Sequence, residues 1–155
     1  MKNSFTMNTK KIVFALGFIL SLCSADTLAQ NRAHTVRIVF SNIHNNKGTL
    51  RLGVFQTQGE FETENPFKKM NISKATMQDK SVTAVINLPD GIYGISVLDD
   101  ENDNSKMDYN MVGIPKEGFG FSNYYHTGFS KPKLKEFTFT VNKGDIQINC
   151  KMRYI

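Results

Sequence analysis

The residues best suited to chemistry lie in one short stretch, Asp99-Asp100-Glu101-Asn102-Asp103-Asn104-Ser105-Lys106-Met107-Asp108. Asp100, Asn102, Asn104 and Asp108 fall at positions 1, 3, 5 and 9 of a calcium loop, where side-chain oxygens of a coiled backbone converge on one ion. Lys106 falls at position 7, where only the backbone carbonyl binds, and Met107 is placed to anchor the loop to the core. Position 6 is Ser105 instead of glycine, and position 12 is Met111 instead of a bidentate glutamate. Completing a shell of six to eight oxygens therefore falls to a remote carboxylate such as Glu117, or to water. The donor set is all hard oxygen, with no His or Cys, which selects Ca²⁺ over a transition metal. The alternative is a polar surface turn that holds no ion.

Catalytic constellations are poorer. Ser122 and His126 with any aspartate would make a triad by residue type only, and the chain has no Gly-x-Ser-x-Gly elbow. Asp99, Asp103 or Glu117 would serve as acid and base in a hydrolase acting on envelope carbohydrate, provided their carboxyls stand at glycosidase spacing. His34, His44 and His126 are too far apart in sequence to form a ligand motif. The run Phe119-Gly120-Phe121-Ser122-Asn123-Tyr124-Tyr125-His126 is rich in aromatic rings. Phe119 and Phe121 are expected to cap one end of the domain, while Tyr124 and Tyr125 are candidates for lining a sugar or peptide groove.

The elements that position these residues read as short strands. Ile146, Ile148, Cys150, Met152 and Tyr154 alternate with Gln147, Asn149, Lys151 and Arg153, a period of two with one apolar face. Val36, Ile38 and Phe40 alternate likewise, as do Leu50, Leu52 and Val54; Asn45-Asn46-Lys47-Gly48 between them predicts a hairpin. Val82, Ala84, Ile86 and Leu88 mark a further strand, which Pro89-Asp90-Gly91 turns into Ile92–Leu98. Phe137, Phe139 and Val141 precede a turn at Asn142-Lys143-Gly144-Asp145, and a weaker strand is expected around Met70–Met77. The stretch 59–69 holds one helical turn or an irregular crossover. The whole is an all-β chain, a small antiparallel β-sandwich of six or seven strands with a long loop at 99–133.

Lys10 and Lys11, the apolar run Ile12–Leu22 and the small residues Thr27 and Ala29 read as an export signal, residues 1–29, cleaved before Gln30. The run is too short to cross a bilayer core, which takes about 20 residues. Cys23 follows Leu20-Ser21-Leu22, which resembles a lipoprotein box except for bulky Leu22, so a lipid anchor is the second option. Losing this segment removes three lysines and one aspartate, and the formal net charge falls from +5 to +3. The remaining Lys and Arg are scattered, a pattern that does not suit nucleic acid. Residues 30–155 suffice for a single domain. Cys150 is then a lone thiol on the apolar face of the last strand.

Leu88-Pro89-Asp90-Gly91-Ile92-Tyr93, the Asp/Asn loop and Gly113-Ile114-Pro115-Lys116-Glu117-Gly118-Phe119-Gly120-Phe121-Ser122-Asn123 resemble an exported bacterial family, domain-of-unknown-function family 2141. The likeness spans about residues 35–155. In that family the loop reads His-Asp-Glu-Asn-Gly-Asn-Gly-Lys-Leu-Asp. Here Asp99 stands at the histidine position, and Asp103 and Ser105 at the two glycine positions, while Asp100, Asn102, Asn104 and Asp108 are kept. The resemblance implies an exported β-domain, transthyretin-like in outline, with no established activity. The expectation is a periplasmic or secreted non-enzymatic module with an unknown envelope or extracellular ligand and a calcium-organised loop. The alternatives are the carbohydrate hydrolase and a purely structural domain without metal.

Overall fold

The computed structural model describes residues 32–155; the expected export signal (1–29) and Cys23 lie outside the described residues. Among these residues eight strands form two facing sheets. They are β1 (Ala33–Ser41), β2 (Thr49–Phe55), β3 (Lys68–Ser73), β4 (Val82–Pro89), β5 (Gly91–Asp100), β6 (Gly118–Phe121), β7 (Thr138–Val141) and β8 (Ile146–Lys151). The first sheet has the order β4-β1-β8. The second has the order β3-β2-β5-β6, with β7 pairing the early half of β5 and β6 its late half. This is the expected β-sandwich, with one exception to its antiparallel character: β8 runs parallel to β1, with Ile148 opposite Ile38.

Alternation decides which face each strand buries. Val36, Ile38 and Phe40 of β1 and Ile148 and Cys150 of β8 are sealed between the sheets, against Leu50, Leu52 and Val54 of β2 and Ile95 and Val97 of β5. Burial pushes the Cys150 thiol up to about 12, the signature of a core residue and not of a reactive one. The apolar face expected of the last strand is the buried one, and among the described residues β8 lies at the edge of the first sheet with β1 as its ladder partner. Beyond it, Met152 is fully buried, and Arg153 pairs with Phe119 through two backbone bonds that tie the C-terminal segment to the second sheet.

The hairpin expected at 45–48 is not one. β1 and β2 lie in different sheets, and the connection crosses the sandwich with Ile43 fully buried and its N–H given to Lys80 O. The turns at Asp90 and at 142–145 also pass the chain from one sheet to the other. At the Asp90 corner the Tyr93 hydroxyl donates to Pro89 O at 3.1 Å. The stretch 59–69 does hold a helical turn, α1 (Gln58–Glu62), closed by a Thr57–Glu60 capping box. The weak strand expected at 70–77 forms earlier, at β3, leaving Met77 in the following loop.

The long loop expected at 99–133 is interrupted by a strand, β6. Its side chains reverse the usual pattern. Gly118 and Gly120 are buried, Gly120 pairing with Val97 of the inward face, while Phe121 points outward. Phe121 joins Phe55, Phe61, Leu134 and Phe137 in a second apolar cluster on the outer face of the second sheet. The rings meet edge to face, Phe61 and Phe137 with centroids 5.1 Å apart. Phe119 and Phe121, expected to cap one end of the domain, instead project from a paired strand of the second sheet into this second cluster.

Candidate functional site

Strand parity separates the two aspartates at the end of β5. Ile95, Val97 and Asp99 point between the sheets; Ser96, Leu98 and Asp100 point away. Both carboxylates are fully buried. A buried charge needs a partner, and each has a different one.

Asp99 plugs the open end of the sandwich. Lys74, which continues the inward row of Met70 and Ile72, places Nζ 2.5 Å from Asp99 Oδ1 and is itself fully buried. Tyr154 donates its hydroxyl to Asp99 Oδ2 at 2.6 Å and accepts from the His44 N–H at 3.1 Å. Burial first, then the Asp99 hydrogen bond, push the Tyr154 phenol far up, so it stays a donor. His44 stacks on the Tyr154 ring at 3.4 Å. Glycine is required beside it: a Cβ on Gly118 would stand 2.3 Å from the Tyr154 ring. The sequence carried this cluster only as parity, since extending the alternation of β3 and β5 by one step puts a lysine and an aspartate on the core face.

Asp100 heads the loop. Burial alone would raise its carboxyl; the Arg51 side chain and the N–H groups of Ser105 and Asn104 outweigh that and hold it below the ordinary range. Arg51 binds Oδ2 through Nε, and the two amides donate at 2.9 and 3.0 Å. Successive Asx turns then coil the chain. Asn102 Oδ1 accepts from Asn104 N and Asn104 Oδ1 from Lys106 N, each at 3.0 Å. Both asparagine amides donate to Asp108 Oδ2, at 2.7 and 2.8 Å. Asp108 N donates to Glu117 Oε2 at 3.2 Å. The loop therefore gathers Asp100, Asn102, Asn104, Asp108 and Glu117, all of the expected side-chain donors, in one hydrogen-bonded network. Lys106 contributes its backbone, with its side chain exposed.

Two features of this network have no internal explanation. Asp103 and Ser105, at the family's glycine positions, adopt φ of +56° and +69°, a region that costs an ordinary side chain about 1–3 kcal/mol. Glu117 is only 5 % exposed, and its Oε1 has no hydrogen-bond partner. Burial is the main force raising its carboxyl. The Asp108 N–H and, more weakly, the Glu101 N–H oppose that, and the neighbouring Asp100 and Asp108 charges add to it. Gly48, at φ +66°, lets the β1–β2 crossover lie against this site: a Cβ there would sit 2.0 Å from Asp100 O.

Among the described residues no group of three or more His, Cys, Asp or Glu is gathered at metal-holding spacing. A cation here would depend on the two asparagine amides and the Lys106 carbonyl as well as on the carboxylates. The donor set is of the hard kind that Ca²⁺ takes, with carboxylate, amide and carbonyl oxygens, and the Arg51 guanidinium already lies on Asp100. An asparagine side chain turned about its last bond would bring its oxygen to where its NH₂ now meets Asp108.

The other candidates divide. Tyr124 is half-buried and donates its hydroxyl to Glu136 at 2.8 Å, so its polar end is committed within the protein. Tyr125 is half-exposed under the Lys151 ammonium, in a shallow concavity with Asn123 and Asn149. Ser122 is buried, its hydroxyl given to Phe137 O at 2.5 Å and accepting from the Ile95 N–H, so it serves the fold. Asp99, held by Lys74 and Tyr154, has no free oxygen for acid–base work. Among the described residues no helix is long and apolar enough to cross a membrane.

A two-sheet β-domain with an oxygen-rich loop at the end of a central strand is the class that fold and site define. The chain belongs to the bacterial family described as an uncharacterized protein conserved in bacteria (DUF2141), whose pattern matches residues 38–149. No curated protein and no solved structure matches it.

Proposed function

We propose that this protein is an exported, non-enzymatic binding or structural module whose loop from Asp100 to Glu117 is organised by Ca²⁺. Asp100, Asn102, Asn104, Asp108 and Glu117 would supply side-chain oxygens and Lys106 its carbonyl. The observation that carries this reading is the unpartnered Oε1 of Glu117, a buried carboxylate oxygen beside two other carboxylates. Such a group is costly unless something positive meets it. The ion would act on stability, tying a long loop between β5 and β6 and adding its binding energy to folding.

This predicts an unusual pair of effects for Glu117→Gln. Without calcium the variant melts higher than the wild type at neutral pH, because the amide keeps the bond from Asp108 N and removes a buried, unpaired charge. With calcium the order reverses, because the wild type gains and the variant does not. Thermal melts of both proteins, with millimolar Ca²⁺ and with chelator, read the effect. At 100 times the dissociation constant the wild type gains about 2.7 kcal/mol. Glu117→Gln melting below the wild type in chelator would mean the carboxylate serves the fold and no ion.

A further inference from the structure

The Asp/Asn loop is met by a cation that comes from β2. Arg51 stands opposite Leu98 of β5 and Asn71 of β3, on the outward face it shares with Asp100. Its guanidinium reaches three oxygens. Nε donates to Asp100 Oδ2, Nη1 lies 3.5 Å from Asn71 Oδ1, and Nη2 lies 3.7 Å from Asp103 Oδ1. The bond to Asp100 is close, and the other two contacts are loose. Asp100 is fully buried, whereas the Arg51 side chain is 24 % exposed and that of Asp103 56 %. The arginine thus keeps a contact with water that the carboxylate lacks.

Asp100 has little room for a second cation. A carboxylate offers about four lone-pair sites. Three of those on Asp100 are taken, Oδ1 by Asn104 N at 3.0 Å and Oδ2 by Ser105 N at 2.9 Å and by Arg51. The two amides belong to the coil that spaces the oxygen donors, so they are kept when an ion binds. Arg51 lies outside the coil. A divalent ion ligated by Asp100 would stand next to the guanidinium, and like charges that close repel even at the effective dielectric of a protein surface. Charge count also tunes the affinity of a calcium loop, and Arg51 cancels one negative charge of this one. Arginine and ion therefore compete for one carboxylate.

We propose that Arg51 is a built-in competitor of Ca²⁺, a latch on Asp100 and Asp103 that sets how much calcium the loop needs. The inference rests on the calcium reading above and adds the regulation of the same site. Without the ion, the guanidinium answers the buried charge of Asp100. When Ca²⁺ binds, it takes over that charge, and Arg51 leaves Asp100 for water.

Calcium titration calorimetry and thermal melts of the wild type, Arg51→Gln and Arg51→Lys test it. Arg51→Gln keeps an N–H donor for Asp100 and loses the charge, so it is expected to bind Ca²⁺ at least about tenfold more tightly than the wild type. Arg51→Lys keeps the charge and binds close to the wild type. In chelator Arg51→Gln melts below the wild type, and calcium raises its melting point by more. If that variant is unfolded in chelator, its folding on addition of calcium reads the same competition; a variant unfolded with calcium as well overturns it. Wild-type binding that Arg51→Gln leaves unchanged or weakens overturns the competition and leaves the calcium reading intact. Binding by Arg51→Gln alone upholds the competition, shows that Arg51 wins it in the wild type, and overturns the calcium reading. Absence of binding in all three proteins overturns both.

Discussion

Lys74→Met lowers the stability of the domain by about 3–5 kcal/mol, the usual cost of removing one partner from a buried ion pair. Lys74 Nζ and Asp99 Oδ1 meet where both side chains are fully buried. Taking away the ammonium leaves a carboxylate between two sheets with only the Tyr154 hydroxyl to answer it. Since a domain of this size is stable by about 5–15 kcal/mol, the loss is a large fraction of the whole. Asp99→Leu does comparable harm by stranding the lysine. The double variant Lys74→Met with Asp99→Leu is expected to recover most of the loss, because an apolar pair of similar volume carries no desolvation penalty. Urea unfolding of the four proteins gives the coupling. A change below about 1 kcal/mol for Lys74→Met, the range of exposed pairs, would mean that water reaches the cluster.

Removing residues 146–155 is expected to abolish cooperative folding. The deletion strips Ile148, Cys150 and Met152 from the core, uncovers the edge of β1 and takes Tyr154 from Asp99. Full burial of a large apolar side chain contributes about 1.5–3 kcal/mol, so this loss alone rivals the net stability. The full-length chain offers a gentler reading of the same strand. Cys150, buried and with its thiol held up at about 12, should be silent to a thiol reagent in the native state and react after denaturation. A truncated chain with a normal melt, or rapid native labelling, would contradict the placement of β8.

The sequence showed which residues face inward far better than it showed which strands are neighbours. Alternation in β1, β2 and β8 is a local property of a half-buried strand, and each core face came out as read. Partnership is not local. Asn45-Asn46-Lys47-Gly48, Asp90 and Asn142-Lys143-Gly144-Asp145 supply backbone that turns, and the same turn chemistry serves a hairpin or a passage between sheets. Ile43, apolar and fully buried just before the first of them, was the available sign of a crossover. β6 was hidden for a different reason. Its glycines face the crowded inside, where Tyr154 and Met152 fill the space, and its phenylalanines face out into the second cluster. The loop donors were legible because ligand spacing is a property of a short segment. Lys74 and Tyr154, distant in sequence from Asp99, were not.

Titration calorimetry of the purified protein with CaCl₂ at pH 7 and near-physiological salt tests the calcium-organised loop most directly. One site per chain is expected, with the heat lost in Asp108→Ala and in Glu117→Gln and a weaker response to Mg²⁺, whose smaller, octahedral shell fits a coiled loop of amide and carboxylate oxygens poorly. A flat titration for the wild type, or a heat unchanged by both substitutions, would contradict the account and leave the Asp100–Glu117 loop a polar turn held by its own hydrogen bonds.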